Sequence, residues 1–373
     1  GGLYKSTNAP QGTNSATSIL NKTKLVVTGN NFQMQLKRLN VKMNYPPPHL
    51  RTPIQKQPTL KVMRILCALP LEYRSLFSHR FYKARWIDNV DLTDDEVLQK
   101  IVDSMEEWKK IGFHKVVDVY SDSKVKEELK YHTDLASSRG AFGVPSFWIK
   151  ERLFWGCDRM HFVARAAGSK TVHPKRLQIL PKDSNRKVNV KFFFDFSSPW
   201  SYLGSTQIQK YLSQTTANVT LEYVPILLGA LFKKIGTPNM PALAMSEAKL
   251  AYSRLDFQDW VDYHQVDYKF SPHFPLRTVL PLRVVIAAER NGYDHVKLIH
   301  LLYRATWVLE KNIADRTVLS ELLNEWNYPS ETLFTLAESS EIKQILIDNT
   351  QFAENSGCCG VPSFKVDDNS IIW

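Results

Sequence analysis

Cysteine is scarce in this chain. Four occur among 373 residues, Cys67, Cys157, Cys358 and Cys359, and no two of them are spaced Cys-x-x-Cys. Vicinal cysteines bridge only with strain, and four thiols in so long a chain are no disulfide framework. A reducing compartment is therefore expected. No apolar run approaches the roughly 18–20 residues that a membrane span needs. The start, Gly1-Gly2-Leu3-Tyr4, lacks both the basic stretch and the apolar core of a signal or transit peptide. The ten histidines, His49, His264 and His273 among them, show no metal-ligand spacing and read as surface or insert residues, so no metal is expected. Negative charge is in deficit, with a net charge of +11, but the positives are scattered. No base-stacking or groove-reading motif accompanies them, which argues against nucleic acid. The excess reads as solubility, with attraction of small anions into basic clefts as the sharper alternative.

What the chain does contain is a repeat. Gly-Val-Pro-Ser-Phe occurs at Gly143–Phe147 and again at Gly360–Phe364, an offset of 360 − 143 = 217. At the same offset Ser123/Ser340, Lys126/Lys343, Leu129/Leu346, Thr133/Thr350, Ala136/Ala353 and Gly140/Gly357 also match. Chance would give about one or two identities in such a window, so the chain carries a duplicated domain, in keeping with a length that predicts about two domains. The expected division is 1–168, a basic linker 169–187, and 188–373. The linker holds Lys170, Lys175, Arg176, Lys182, Arg186 and Lys187 against Asp183 alone, broken by Pro174 and Pro181.

The second copy reads more fully. Val188–Phe196 is an apolar, β-rich run, as expected of a strand buried on both faces. Ser198 is placed to cap a helix over Ser201–Leu212, with Pro199 at its first position. Asn218–Leu228 predicts a second strand, parallel to the first because a helix joins them. Helical spacing then runs from about Ser246 to Asn349. A hairpin, Val361–Val366 and Ile371–Trp373, follows around a turn at Asp367–Asn369. The first copy shows the same tail: a helical region from about Asn30 to Ser138, Tyr82-Lys83-Ala84-Arg85-Trp86 echoing Tyr303-Arg304-Ala305-Thr306-Trp307, and a hairpin of Phe147–Ile149 and Leu153–Trp155. Its opening βαβ is not found, so on this reading the chain begins inside one copy and stops inside the next.

A βαβ followed by a ββ hairpin that opens with x-Pro is the thioredoxin plan. The expected fold class is α/β, two thioredoxin-like domains each with an all-helical insertion. In that plan the proline is cis and faces the start of the first helix, and the edge of the preceding residue, Val144 or Val361, can pair with a peptide ligand as an added strand. Redox members place Cys-x-x-Cys at the helix start. Here Ser198-Pro199-Trp200-Ser201 stands there. A serine forms no disulfide, but its hydroxyl can donate to an incoming thiolate, and the helix N-terminus favours the same negative charge. Ser198 read more plainly is an N-cap. Asp195 reads as structural or as part of the site. Cys358-Cys359 read as small-residue packing, with redox sensing as the alternative, and Trp200 as core or as a platform for an aromatic substrate.

Phe194-Asp195-Phe196-Ser197-Ser198-Pro199-Trp200-Ser201-Tyr202-Leu203-Gly204 resembles the opening of the kappa-class glutathione transferases and 2-hydroxychromene-2-carboxylate isomerases. Pro225–Phe232 is similar to their second strand and turn, Gly140–Pro145 to their cis-proline loop, and Leu153–Met160 to their closing motif. The resemblance covers nearly the whole chain, linker excepted. It implies that Ser198 is the catalytic serine and that Pro199 and Trp200 line its site. It implies that Asn239 and Lys249 contact glutathione and that Val361, before Pro362, supplies the pairing edge. In the first copy it implies the same for Asn8, Lys24, Val144 and Pro145. There Cys157 and Asp158 match the serine–aspartate pair that holds the γ-glutamyl end, with Cys157 departing from the usual serine.

The function so implied is glutathione-dependent transfer of the thiolate to a small hydrophobic or aromatic electrophile. Cis/trans isomerisation of a chromene-type acid is the alternative, followed by thiol-disulfide exchange or non-catalytic glutathione binding. The resemblance further implies pairing as an internal pseudo-dimer or a homodimer. It implies residence in mitochondria or peroxisomes, with the cytoplasm open.

Overall fold

The computed structural model describes residues 21–44, 59–169 and 186–373. Asn8, His49 and linker residues 170–185 lie outside them. The described residues divide into two compact units: 36–44, 59–169 and 245–253 form the first, and 21–35, 186–244 and 254–373 the second.

Helix α1, Lys22–Leu39, opens the described chain. The first unit continues with α2 (Leu60–Ala68), α3 (Leu71–Trp86), α4 (Asp95–Asp103), α5 (Glu106–Lys110), α6 (Val116–Ser121) and α7 (Ser123–Ser138). Aspartates start two of these helices. Asp94 accepts from the Glu96 and Val97 N–H groups, and Asp122 from those of Lys124 and Val125, which satisfies donors that the first turn leaves open. The helices close around Ile65, Phe77, Leu98, Val102 and Trp108. Trp108 is 1 % exposed, with Phe77 and Phe113 rings 6.2 and 5.1 Å away.

Strands β1 (Ser146–Ile149) and β2 (Arg152–Trp155) follow as an antiparallel hairpin in register Ser146↔Trp155 to Ile149↔Arg152, and then α8 (Met160–Ala166). Each strand is one residue longer than its sequence pattern. The two-residue loop Lys150-Glu151 takes positive φ at both positions, +47° and +61°, the twist that keeps two strands paired up to the turn.

The second unit contains β3 (Lys187–Phe194), α9 (Pro199–Leu212), β4 (Asn218–Pro225) and α10 (Leu228–Ile235). A long helical insertion comes next, α11 (Glu247–His264), α12 (Val279–Arg290), α13 (His295–Trp307), α14 (Arg316–Glu325), α15 (Ser330–Ala337) and α16 (Ser340–Asn355), and β5 (Ser363–Val366) closes the unit. β3 is central: β4 pairs parallel to it from Lys187↔Asn218 to Phe194↔Pro225, and β5 antiparallel from Val190↔Val366 to Phe193↔Ser363. A bridge Phe364↔Ile372 begins the next position in the sheet.

The phenylalanine run explains why β3 is central. Phe192, Phe193 and Phe194 are all 0 % exposed, and alternate side chains of a strand point to opposite faces. Phe192 and Phe194 join the large cluster built with α12 to α16, while Phe193 joins Val224, Ile226 and Leu231 in a different cluster. A strand wrapped on both sides needs a continuous apolar stretch, and this one has it.

Further details depart from the sequence pattern. The second strand stops at Pro225, and α10 starts at Leu228, inside the stretch expected to be strand and turn. The Leu228 N–H, a first-turn donor, is taken by the Asp195 carboxylate at 2.8 Å, so a contact distant in sequence starts this helix. α1 contributes its residues through Gln35 to the second unit. Val27 is 2 % exposed in the cluster of Phe193, and Asn31 Nδ2 donates to the Trp373 carbonyl at 2.7 Å. α11 contributes Glu247–Ser253 to the first unit, where the Tyr252 hydroxyl lies 3.2 Å from Trp155 N and 3.3 Å from its carbonyl oxygen.

Candidate active site

The chain leaves β3 at Phe194 and enters α9 at Pro199, and the loop between them carries Ser198. Ser198 caps α9. Its Oγ accepts the Ser201 N–H at 3.2 Å, and Pro199 occupies the first helical position, where a missing N–H costs nothing. The residue is 7 % exposed. The same Oγ lies 3.2 Å from the Val361 carbonyl oxygen, 163 residues further along the chain. The Val361–Pro362 and Val144–Pro145 peptide bonds are cis. The Pro362 ring lies against the α9 backbone at Gly204, where a Cβ would stand 3.2 Å from two of the ring carbons. A side chain at Gly204 would force helix and proline apart.

Buried polar groups fix this loop. Asp195, 1 % exposed, accepts from Ser197 N at 3.0 Å, Thr278 Oγ1 at 2.6 Å and Leu228 N at 2.8 Å. Burial pushes its carboxyl up, and the donors around it work in the opposite direction. The Tyr303 hydroxyl, held well above its ordinary range by burial, donates to Ser201 Oγ at 2.8 Å. Trp307 Nε1 donates to the Phe196 carbonyl at 3.0 Å. Three groups from the helical insertion thus hold the turn that presents Ser198. The sequence showed Tyr303 and Trp307 only as half of an echo. Their counterparts Tyr82 and Trp86 are 64 % and 36 % exposed, so the motif alone does not say which copy uses it.

The other expected residues are placed unevenly. Trp200 is 38 % exposed beside Ser198, edge-on to Phe257 with ring centres 4.7 Å apart. Asn239 is exposed after α10, with its Oδ1 3.4 Å from where a Cβ on Gly229 would sit. Lys24, expected with the first copy, belongs to the second unit, its Nζ 5.1 Å from the Trp373 ring centre. Lys249, expected among the glutathione contacts of the second copy, belongs to the first unit, 5.9 Å from the Trp155 ring centre. The arrangement repeats: a Cβ on Gly360 would meet Trp373 Nε1 at 2.9 Å, and one on Gly143 would meet Trp155 Nε1 at 2.7 Å.

In the first unit, Val144 is 81 % exposed, and the carbonyl of Pro145, itself exposed, accepts from Gly156 N at 3.0 Å. Cys157 is exposed, and Asp158 is ion-paired with Arg159. Asn8 lies outside the described residues. Cys358 and Cys359 are buried, and burial pushes their thiols up to about 12 and about 11.

Among the described residues no group of three or more His, Cys, Asp or Glu is arranged to hold a metal, and no helix is long and apolar enough to cross a membrane. A cavity of about 370 Å³, lined by Glu222, Tyr223, Glu289, Arg290 and Asn349 among others, includes none of the site residues.

A parallel βαβ, an antiparallel closing strand that begins beside a proline, and a helix start facing that proline define a thioredoxin-like domain. The chain belongs to the family of the DSBA-like thioredoxin domain, whose family model matches residues 4–168 and again 189–373. It is therefore two thioredoxin-like domains with helical insertions. It is similar to glutathione S-transferase kappa 2 of Caenorhabditis elegans, 25% identical over 191 residues that take in 49% of this chain and 83% of the relative. It is also similar to glutathione S-transferase kappa 1 of Homo sapiens, 26% identical over 156 residues, 39% of this chain and 66% of the relative. Among solved structures it is similar to a 2-hydroxychromene-2-carboxylate isomerase, with TM-score 0.44 and 18% identity, over 50% of this chain and 88% of that one.

Proposed function

We propose that the protein is a glutathione-dependent enzyme whose second domain ionises the glutathione thiol at Ser198 and transfers the sulfur to an electrophilic small molecule. The observation that carries this reading is the serine itself: a hydroxyl, rather than a thiol, stands at the start of α9 and faces the carbonyl of Val361. The kinship with two kappa-class glutathione transferases supports the choice of thiol.

The magnitudes are adequate. A helix N-terminus stabilises a nearby anion by about 0.3–1 kcal/mol, and by up to about 2 when partly buried. A hydrogen bond to a charged group contributes about 1.5–3 kcal/mol. Together they amount to roughly one to four pKa units, since one unit is about 1.4 kcal/mol. A thiol that ionises at about 8.5 in water would then be partly to almost fully thiolate at neutral pH. The thiolate lone pair forms a bond to the electrophilic carbon, and the leaving group departs with the electron pair of the bond that breaks. The exposed face of Trp200 beside Ser198 offers the acceptor an apolar surface.

The test is spectroscopic and kinetic. Titrating glutathione into the protein at pH 7 and reading thiolate absorbance near the far ultraviolet should show thiolate in wild type and at least tenfold less in Ser198→Ala. Conjugation to an aromatic halide should fall in parallel. Turnover of a chromene-type acid without conjugation would replace transfer by isomerisation. Equal thiolate in both proteins would end the assignment of Ser198.

A further inference from the structure

The Ser198 hydroxyl is already engaged. Its oxygen accepts the Ser201 N–H and lies 3.2 Å from the Val361 carbonyl oxygen. A carbonyl oxygen carries no hydrogen, so the one proton on Ser198 Oγ points at Val361. That proton is the one a sulfur beside α9 would need. Val361 is 7 % exposed, and among the described residues no other donor reaches its carbonyl. Turning the hydroxyl toward a sulfur would leave a buried carbonyl without a partner, which is unfavourable unless another donor arrives.

An extended peptide laid along the edge before Pro362 brings such a donor, because strand pairing aims an amide N–H at the facing carbonyl. We infer that the Val361 carbonyl is a specificity-determining group, which admits to activation only thiols that carry an amide N–H next to the sulfur-bearing residue. The ligand N–H takes the Val361 oxygen, the Ser198 proton swings to the sulfur, and no buried acceptor is left open. A simple thiol without that N–H reaches the same place but finds the hydroxyl held. In the first domain Val144 is 81 % exposed, and among the described residues no hydrogen bond holds its carbonyl.

The inference rests on the glutathione reading above, and the experiment separates the two. The full chain is titrated with glutathione and with its depsipeptide analogue, in which an ester oxygen replaces the cysteine amide N–H. Binding is followed by calorimetry and bound thiolate by ultraviolet absorbance across pH. Glutathione should titrate at least one pKa unit below the bound analogue, a tenfold difference in thiolate ratio. In Ser198→Ala, with no proton to release, that gap should vanish. Equal thiol pKa values for both bound ligands in wild type would overturn the gating role of Val361 and leave glutathione binding standing. Absence of binding heat with glutathione itself would overturn the functional reading, and the gate with it.

Discussion

The Tyr303 hydroxyl donates to Ser201 Oγ across 2.8 Å, and solvent reaches neither residue. Ser201 in turn gives its backbone N–H to Ser198, so Tyr303 on α13 stands one step from the Ser198 hydroxyl. Removing the phenol oxygen leaves a buried serine acceptor without its donor and creates almost no cavity. Tyr303→Phe should lower stability by about 1–3 kcal/mol, the cost of one unsatisfied buried group, read as a shift of the denaturant midpoint at constant slope. A loss well below that range would mean that Ser201 finds another partner.

Much of this was visible in the sequence. The duplicated Gly-Val-Pro-Ser-Phe, the apolar run of β3 and the Ser-Pro at the start of α9 each obey local rules, and each gave the element found. Less visible were groups whose meaning is set by distant partners. Asp195 could be structural or chemical from sequence alone; only the arrival of Thr278 and Leu228 shows that it ties the loop to α10 and to the helical insertion. Position along the sequence groups Lys24 with the first copy and Lys249 with the second. The structure places Lys24 against Trp373 and Lys249 against Trp155. Both α1 and α11 contribute residues to both units, and no periodicity along one helix can report which core its two ends join.

The four cysteines should differ sharply in reactivity. Burial pushes Cys358 up to about 12 and Cys359 to about 11, and raises Cys67, whereas Cys157 is exposed. Thiolate is the reactive form, and access is needed as well. Brief alkylation of native protein at pH 7.5 or thereabouts, followed by peptide mass analysis, should label Cys157 first and leave the Cys358-Cys359 pair unlabelled until the protein unfolds. Early labelling of that pair would favour the redox-sensing alternative over plain packing.

His161 gives the first domain a pH dependence. The residue is 3 % exposed, and burial, with Arg159 nearby, lowers its pKa to about 4 from an ordinary value near 6.5. A histidine depressed on folding contributes stability that is complete above its unfolded pKa. That contribution is lost as pH falls toward the folded value, because the unfolded chain takes up a proton that the folded one refuses. Between about pH 6.5 and pH 4 unfolding should therefore become easier, by up to about 1.4 kcal/mol per pH unit. His161→Gln should flatten that slope relative to wild type. An unchanged slope in the variant would assign the acid sensitivity to other groups.

Val27 and Val26 are neighbours on α1 with opposite fates. Val27 is 2 % exposed among Phe193, Val224 and Ile226 of the second unit, while Val26 is 55 % exposed. If residues through Gln35 are part of the second domain's core, trimming Val27 removes two methyl groups from a packed interior. The lost transfer energy and the cavity together should cost roughly 2 kcal/mol. The same trim at Val26 should stay within about 0.5 kcal/mol, as exposed sites do. Hydrogen exchange gives the decisive readout. Val27→Ala should speed exchange in β3 and β4, more than 150 residues away in sequence, and Val26→Ala should not. Faster exchange confined to α1 itself would mean that the helix only rests on the second domain without contributing to its stability.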